Sequence, residues 1–362
     1  MPFRNFAALL LGLFIAVAAH AQPLGVYTNM QNQVMLWNKG LIRKIDYLQP
    51  VEIKTGRTVI PYLDNSRSFK VYYNGSVRTM NMGFTNDFKV TDNLMVFMNA
   101  TTLYVFDNGD VKTLSTYCPQ YYVGDSTIMF LDGIRNEYKA YYKGNIYPIE
   151  GFLAGNALEV IKVSDNIGAY DNYANQFKIF YLGEIINQED YAVNSFEVGR
   201  NTVAYVDINR QFKIFHSGQT YIVEDFPPVK YQAGDNVVAY VSYDGYFKIF
   251  YGDSIKTVGF FTPADFRAID NMVAYRDVSG YFKVFYKGEI STLEPYYPDK
   301  YTMQYNSVAY VNRANTLRLF TEGEVHDVTT AEIESWEINY DVLKYQIGNN
   351  MFRINYKGKE YY

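Results

Sequence analysis

The stretch that decides the fold runs from Asn236 to Asp253 and reads NVVAYVSYDGYFKIFYGD. Near copies begin at Asn201 (NTVAYVDINRQFKIFHSG) and at Asn271 (NMVAYRDVSGYFKVFYKG), and a more distant copy begins at Asn306 (NSVAYVNRANTLRLFTEG). The rest of the chain is further repetition of this unit. A fixed period over a whole chain is typical of a solenoid or a propeller.

The tyrosine of the VAY triplet marks the phase of the repeat. Six of these residues follow one another at steps of 35, and four earlier aromatic residues continue the series at steps of 33, 35 or 40. Ten units result, and we expect the first strand of each unit near its marker: Tyr27, Tyr62, Phe97, Phe130, Tyr170, Tyr205, Tyr240, Tyr275, Tyr310 and Tyr345.

Short strand signals alternate with turn residues inside each unit. VAYV is β-branched and aromatic, Asp244-Gly245 is a hairpin turn, and FKIFY is a second strand that ends before a glycine. A third strand, such as Glu289–Pro295, follows, and then a linking segment such as KYQAGDN from Lys230 to Asn236. The 37 Tyr and 25 Phe residues favour strands as well, so the composition and the pattern both predict an all-β fold.

Both faces of these strands are apolar. Val203 and Tyr205 point to one side, while Ala204 and Val206 point to the other. A sandwich would show apolar and polar alternation, whereas small sheets stacked around an axis bury both faces. We therefore predict a β-propeller-like ring of about ten units with three to four antiparallel strands each, and we prefer it to an open curved β-repeat stack. One strand of forty is missing, and the long unit that contains Asn145 to Asn166 is a candidate seam.

The N-terminus predicts export. Arg4 precedes an apolar run from Phe6 to Ala19, and Ala19-His20-Ala21 is the small-x-small pattern of a signal-peptidase site. Residues 1–21 are therefore expected to be a signal peptide and 22–362 a single repeat domain. The junction contains no cysteine, so a lipid anchor is not expected there. No later apolar run is long enough for a membrane span.

Charge and cysteine content narrow the class of protein further. Without Arg4 the chain has 32 basic and 38 acidic residues, so nucleic acid is not expected as a partner. Cys118 stands alone and allows no internal disulfide, which fits a periplasmic or secreted protein with a large core.

No residue pattern predicts catalysis, a cofactor or a metal. After the signal peptide only His216 and His326 remain, at different places in the unit, where we expect exposed blade edges. Cys118 is expected to be a buried thiol. Turns such as Asp207 to Asn209 vary too much for calcium loops and fit hairpin turns instead. We therefore expect a protein that is not an enzyme.

A lysine recurs in the middle of the second predicted strand of many units. Asp64, Asp207 and Asp277 stand six residues before such a lysine, a distance that predicts a cross-strand ion pair. The alternative is a ring of cations around the axis that binds an anion. The residues concerned are Lys70, Lys139, Lys178, Lys213, Lys248 and Lys283, with Arg318 and Arg353 in place of lysine.

Pairs of adjacent tyrosines are the candidate binding residues. Neighbours on a strand face opposite sides, so one ring of each pair must reach a surface or a blade interface. Tyrosine is common in protein interfaces, and packing between blades is the alternative interpretation. These residues are Tyr121, Tyr122, Tyr141, Tyr142, Tyr296, Tyr297, Tyr361 and Tyr362.

The linking segment and hairpin, YQAGDNVVAYVSYDGYFKIFYGD, resemble the propeller repeats of the TolB and WD-repeat type. GDN, IDN, SDN and TDN, which end at Asn236, Asn271, Asn166 and Asn93, stand where those repeats have an SPDG-like turn. The resemblance implies blade topology and no activity.

In overall type and size the chain also resembles secreted proteins of the Bacteroidota, among them the propeller-like subunit that plugs the periplasmic side of the type IX secretion translocon. This resemblance implies a protein partner, an outer-membrane β-barrel or its complex, and a place in the periplasm or outside the cell. A carbohydrate-binding or glycan-processing propeller is the alternative.

Overall fold

The computed structural model describes residues 23–80, 85–92, 94–151, 158–348 and 351–362. The expected signal peptide and Asn93 lie outside these residues. In the described chain, 39 β-strands form ten separate antiparallel sheets. Nine sheets have four strands and one has three, so the chain is a ten-bladed all-β propeller.

Four positions in the blade account for all described strands. The innermost strands are β4 (Glu52–Ile53), β8 (Thr85–Val90), β12 (Tyr121–Val123), β16 (Ile161–Ser164), β20 (Ser195–Gly199), β24 (Lys230–Ala233), β28 (Phe266–Ile269), β32 (Tyr301–Gln304) and β36 (Ser335–Asn339). The second strands are β1 (Gly25–Thr28), β5 (Val59–Leu63), β9 (Leu94–Asn99), β13 (Thr127–Asp132), β17 (Ile167–Asp171), β21 (Thr202–Val206), β25 (Val237–Val241), β29 (Met272–Arg276), β33 (Ser307–Val311) and β37 (Val342–Gln346).

The third and the outermost strands complete each sheet. The third strands are β2 (Val34–Asn38), β6 (Phe69–Tyr73), β10 (Thr102–Asp107), β14 (Glu137–Tyr142), β18 (Phe177–Tyr181), β22 (Phe212–His216), β26 (Tyr246–Tyr251), β30 (Phe282–Tyr286), β34 (Leu317–Thr321) and β38 (Phe352–Tyr356). The outermost strands are β3 (Leu41–Asp46), β7 (Ser76–Thr79), β11 (Asp110–Ser115), β15 (Asn145–Gly151), β19 (Glu184–Glu189), β23 (Gln219–Glu224), β27 (Ser254–Phe260), β31 (Glu289–Glu294), β35 (Glu324–Thr329) and β39 (Lys359–Tyr361).

The marker residue occupies the second strand of the blade, not the first. In blade seven, Lys230–Ala233 of the predicted linking segment forms β24, which pairs with β25. Consecutive innermost strands, such as β20 and β24, contact each other around the axis. The sequence pattern missed them because they are short and only half-buried. In blade one, the described sheet begins at β1 and has three strands.

The core lies between blades, as the two apolar faces predict. Ala204 and Ile214 of blade six pack in one cluster with Val238 and Tyr240 of blade seven. Val237, on the other face of blade seven, packs in a different cluster with residues of blade eight. Each blade therefore shares its hydrophobic core with both neighbours.

The ring is closed, and the predicted alternative of an open stack is wrong. Strand β1 contacts β37 and β38. Trp37 is fully buried against Val342 and Ile354, and its ring centroid lies 4.8 Å from that of Tyr356. The Asn339 side-chain amide donates to the Leu24 carbonyl at 2.8 Å. Blades one and ten are joined by packing, since β39 pairs with β38 of its own sheet.

The long unit is not a seam. Its extra residues fall between β15, which ends at Gly151, and β16, which begins at Ile161; part of this link lies outside the described residues. On either side of it, Met129 and Tyr138 of blade four pack in one cluster with Ile161 and Tyr170 of blade five. The core is therefore continuous across the irregular link.

Ring closure predicts a large effect for changes at the contact between blades one and ten. Deletion of residues 342–362 removes three strands of blade ten and uncovers Trp37. We expect the truncated chain to lose its single cooperative thermal transition. Trp37→Ala should destabilise the fold by about 3–5 kcal/mol, the usual range for a buried Trp. Chemical denaturation measures this, with the exposed Tyr362→Ala as the control. An unchanged melt of the truncated chain would contradict ring closure.

The recurring lysine forms the predicted ion pairs. Lys70, Lys213 and Lys283 each lie 2.9 Å from the carboxylate six residues earlier, on Asp64, Asp207 and Asp277 respectively. The structural interpretation is thereby confirmed for these three. The lysines lie on third strands, one strand removed from the innermost strands, so they do not form the alternative ring of cations around the axis.

A second carboxylate, which the sequence analysis missed, joins one blade to the next. Glu224 at the end of β23 in blade six accepts from the Tyr240 hydroxyl at 2.9 Å and from Lys248 at 2.8 Å, and both donors belong to blade seven. Glu189 receives Tyr205 and Lys213 in the same way. These contacts give the hydroxyl of the buried marker tyrosine a charged acceptor on the preceding blade, which helps to hold the tyrosine in place.

The ion pair between blades and the ion pair within a hairpin predict different losses of stability when the lysine is replaced by methionine. Lys248→Met leaves the half-buried Glu224 with Tyr240 as its remaining partner. Lys283→Met leaves Asp277, which still accepts the backbone amides of Ser279 and Tyr281. We expect a loss of about 1–3 kcal/mol for Lys248→Met and less than about 1 kcal/mol for Lys283→Met. Urea denaturation of the two variants measures the difference, and equal losses would refute the role of the inter-blade contact.

Candidate functional site

The antiparallel strand order gives the ring two different faces. Turns from the innermost to the second strand lie on one face, together with turns from the third to the outermost strand. The opposite face has the turns from the second to the third strand and the links from each outermost strand to the next blade. We call this second face the connection face.

Exposed large apolar side chains are concentrated on the connection face. Single exposed apolar residues are normal on protein surfaces, whereas neighbouring ones mark interaction sites. Those in the turns, links and adjoining strand ends of this face are Met30, Tyr47, Leu48, Val51, Tyr117, Ile134, Val160, Tyr191, Ile208, Phe226, Val229, Tyr243, Tyr246, Phe260, Val278, Tyr281, Met351 and Tyr362.

Four of these residues form two ring pairs on blade seven, which we call the aromatic cluster: Phe226, Tyr243, Tyr246 and Phe260. The Phe226 and Tyr243 ring centroids are 5.4 Å apart, and those of Tyr246 and Phe260 are 5.0 Å apart. The exposed fractions are 59%, 68%, 37% and 71%, respectively. The rings of each pair thus contact each other, and Phe226, Tyr243 and Phe260 still expose more than half of their surface. Neighbouring exposed aromatic rings of this kind are typical of a protein-binding surface.

The hairpin turn of blade seven carries one ring of each pair. Tyr243 and Tyr246 flank Asp244-Gly245, and Gly245 has φ = +88°, a conformation that favours glycine. A Cβ atom on Gly245 would lie 3.3 Å from the Phe260 ring. A side chain at this position would therefore strain the backbone and press on Phe260.

Corresponding turns in other blades are fixed by their own side chains, as the sequence predicted for hairpin turns. The Asp277 carboxylate accepts the backbone amides of Ser279 and Tyr281 at 2.9 and 2.8 Å, and Asp207 accepts that of Gln211. Among the described residues, no group of three or more His, Cys, Asp or Glu side chains has a geometry that could hold a metal ion.

A ring of mostly charged residues lies at the axis, on the face opposite the connection face. One residue per inner turn, directly before the residue at the Asn236 position, makes up this axial ring: Arg57, Asp92, Asp125, Asp165, Arg200, Asp235, Asp270, Tyr305 and Tyr340. The Arg200 guanidinium contacts the Asp165 carboxylate, and the Arg200 backbone amide donates to Asp235 at 3.0 Å. The Tyr305 and Tyr340 rings stack at 3.8 Å.

Burial and mutual repulsion disfavour charge on the axial carboxylates. Burial and the negative charges of Asp92, Asp165 and Asp235 raise the pKa of Asp125 to about 8. Burial also raises the pKa of Asp92 to about 6, against the opposing effect of Arg57. The pKa of Asp235 rises to about 6 through burial and the charge of Asp270. The axial ring therefore takes up protons near neutral pH.

Stability should fall as the pH rises through this range. An unfolded Asp titrates near pH ~3.9, so between about pH 4 and pH 8 the folded chain binds protons at Asp125 that the unfolded chain releases. Each such group lowers the free energy of unfolding by up to about 1.4 kcal/mol per pH unit within its window. Asp125→Asn should raise stability at pH 8 and flatten the slope, as measured by denaturation from pH 4 to 9. Asp110→Asn, on an exposed strand, is the control, and a slope unchanged by Asp125→Asn would count against the axial charges.

The predicted tyrosine pairs do not form one surface. Tyr141 and Tyr142 are 0% and 4% exposed, so both are packed between blades and neither is available to a partner. Tyr121 and Tyr122 are half-buried on the innermost strand β12, where the Tyr121 hydroxyl contacts Asp87.

The remaining predicted tyrosines lie in the link after β31 and at the end of β39. Tyr296 and Tyr297 are half-buried in the link after β31, and the Tyr297 hydroxyl donates to Asp265 at 2.7 Å. Tyr361 is half-buried at the end of β39 and its ring packs on Trp37, whereas Tyr362 is exposed.

The histidines and the cysteine have separate structural surroundings. His216 is buried, which corrects the expectation of an exposed blade edge; its Nδ1 lies 3.0 Å from the Thr202 hydroxyl, and burial lowers its pKa. His326 is half-exposed on β35. Cys118 is a buried thiol, as predicted, and burial raises its pKa to about 11.

The sequence analysis missed the aromatic cluster and the axial ring, although both have a sequence signal. An aromatic residue recurs at a step of 35 in the links, at Tyr191, Phe226, Phe261 and Tyr296. The axial ring corresponds to the residue before Asn236 and its equivalents. Alignment of all units on the marker tyrosine, position by position, would have exposed both series.

The model of one protein family matches nearly the whole chain: the 10-bladed beta propeller domain, over residues 18–361. No curated protein matches. Among solved structures, the computationally designed Ika8 protein is 15% identical, with 75% of this chain and 96% of that one covered and a TM-score of 0.34. The CRINKLY WD40 ectodomain of the Arabidopsis thaliana receptor kinase ACR4 is 12% identical, with coverage of 64% and 96% and a TM-score of 0.34.

PorZ, described as an essential bacterial surface component of the type-IX secretion system of Porphyromonas gingivalis, is 7% identical, with 94% of this chain and 59% of PorZ covered and a TM-score of 0.28. At these identities the likenesses concern the fold alone. The match of the family model together with the ten observed blades identifies the chain as a member of the ten-bladed beta-propeller domain family.

Proposed function

We propose that this chain is an exported, non-enzymatic propeller that binds another protein through its connection face. The partner is an outer-membrane β-barrel or its complex, and the periplasmic side of a type IX secretion translocon is the candidate that the sequence resemblance favours. The proposal extends the common use of propellers as rigid interaction scaffolds to a particular face of this one.

The aromatic cluster of blade seven is the observation that carries the proposal. Phe226, Tyr243 and Phe260 each expose more than half of their surface. None of the three belongs to the two hydrophobic clusters that pack on the faces of blade seven. Aromatic side chains at the centre of an interface supply much of its binding energy and lose little conformational entropy on binding.

The proposal also includes export of the chain and the lack of enzymatic activity. The apolar run from Phe6 to Ala19 supports secretion through the inner membrane. Among the described residues, no helix is long and apolar enough to cross a membrane. His216 and Cys118 are buried and lie in different blades, an arrangement that supports structural roles for both.

Capture of a membrane partner tests the proposal. The purified chain is incubated with detergent-solubilised outer membrane from its own source, and bound proteins are quantified by mass spectrometry. We expect one membrane protein at a constant ratio to the chain. The triple substitution Phe226→Ser, Tyr243→Ser and Phe260→Ser should reduce its capture about tenfold or more, as expected for loss of central interface aromatics.

The matched control removes the same number of exposed apolar side chains from a different part of the ring. Val111→Ser, Ile255→Ser and Val325→Ser change exposed residues of outermost strands and should leave capture unchanged. Equal loss with both triple variants would refute a role for the connection face. Binding to a glycan array without any protein partner would favour a carbohydrate-binding propeller instead.

A further inference from the structure

Blade nine shows what the aromatic residue of the link contacts when an arginine is nearby. Tyr296 in the link and Arg313 in the hairpin turn belong to this blade. The Arg313 guanidinium carbon lies 4.1 Å from the centroid of the Tyr296 ring, and the Arg313 backbone amide donates to the Tyr296 hydroxyl at 2.8 Å. The fold therefore places a guanidinium group against the link aromatic.

The same two positions in blade seven are occupied by Phe226 and Tyr243. They precede Tyr296 and Arg313 by two units, or 70 residues. The Phe226 ring is thus available where the Tyr296 ring is covered by a cation. Within the part of the chain that the structure describes, no lysine or arginine lies over the ring of Phe226 or Tyr243. Lys248 lies 5.9 Å from the Tyr246 ring of the other pair.

Carboxylates accompany the aromatic pair in blade seven but not in blade nine. Asp225 directly precedes Phe226, Asp244 directly follows Tyr243, and both are exposed. The equivalent residues of blade nine are Pro295 and Ala314. Blade seven therefore combines an open aromatic surface with two negative charges at the place where blade nine holds its own arginine.

Proline gives this site a fixed shape. Pro227 and Pro228 follow Phe226 in the link, and each ring limits φ of its residue to about −65°. On the other side, the Ser242 hydroxyl donates to Asp244 and the Ser242 backbone closes the turn with Tyr246 and Gly245. A preorganised site loses less entropy when it binds.

We propose that the Phe226 and Tyr243 rings, with Asp225 and Asp244, bind an arginine side chain of the partner protein. The inference rests on the proposed function and names the chemistry of the partner segment: apolar, with at least one arginine. A guanidinium group is planar, stacks on aromatic rings and forms paired hydrogen bonds with carboxylates, whereas the lysine ammonium group is a point charge with stronger hydration.

A peptide probe tests this inference on the full chain. The probe is fluorescein-labelled Leu-Arg-Leu-Arg-Leu-amide, compared with the same peptide carrying lysine or citrulline, by fluorescence anisotropy at low salt. We expect the arginine peptide to bind about threefold tighter than the lysine peptide and about tenfold tighter than the neutral citrulline peptide. Binding of the arginine peptide should weaken as salt is added, because exposed charges are screened.

Two substitutions of Tyr243 distinguish a site filled by an arginine of the chain itself from a site that has only lost one ring. Tyr243→Met removes one ring and should weaken binding of the arginine peptide about threefold. Tyr243→Arg places an arginine of the chain itself opposite Phe226, as in blade nine, and should abolish binding while the thermal melt stays unchanged. Asp225→Asn with Asp244→Asn should remove most of the salt dependence.

The control lies in blade nine, where Tyr296→Leu changes a ring that Arg313 already covers and should leave peptide binding unchanged. The inference is rejected if the arginine and citrulline peptides bind equally, if neither binds, or if Tyr243→Arg has no effect. Loss of membrane-partner capture by the serine variants together with any of these results would reject the arginine site and leave the connection face as the binding surface.

Discussion

Each blade of this propeller depends on its two neighbours, because both faces of its sheet are apolar. A single four-stranded sheet of this kind would expose rows of Val, Ile, Phe and Tyr to water, and the ring removes that exposure for all ten blades at once. The requirement also determines the register of each strand. A shift of one residue in any strand would exchange its two sets of side chains and spoil the packing on both sides. The stabilising contacts are thereby distributed around the whole ring, and they vary least between blades whose sequences agree best.

Polar contacts add direction to this packing. The carboxylates of Glu189 and Glu224 each accept hydrogen bonds from a tyrosine and a lysine of the following blade. These directional bonds determine how one sheet is rotated on the next, which apolar contacts alone do not. The axial ring has the opposite character. Its aspartates lie close enough to raise one another's pKa, and Arg200 and Arg57 only partly offset their repulsion. The inner end of the ring is therefore held together in spite of its charge, by the hydrogen-bonded turns and the cores between blades.

The sequence predicted the fold class, the number of units and the apolar character of both sheet faces, because each rests on a local pattern repeated ten times. It did not reveal the innermost strands, since segments such as Lys230–Ala233 are short and carry few apolar residues. The tyrosine pairs were a weak guide to the surface. Whether Tyr141 or Tyr362 reaches solvent depends on the neighbouring blade, and the pair itself contains no information about that. The recurring link aromatic shows in the sequence, but its contact does not: Phe226 lies in the link between blades six and seven and meets Tyr243 of the blade-seven hairpin turn only in the folded chain.

In blades six and eight, the hairpin turn of the connection face is held by the side chain of its first residue. Asp207 and Asp277 bind the backbone of their own turns, so the side chains at the turn tips take no part in holding the loop, and exposed tips such as Ile208 and Val278 are free to change. Substitutions at such surface positions usually alter stability by no more than about 0.5 kcal/mol. Turns of this kind, whose tips can vary without risk to the core, give the molecule a surface on which binding specificity can evolve one side chain at a time while the ring beneath it stays the same.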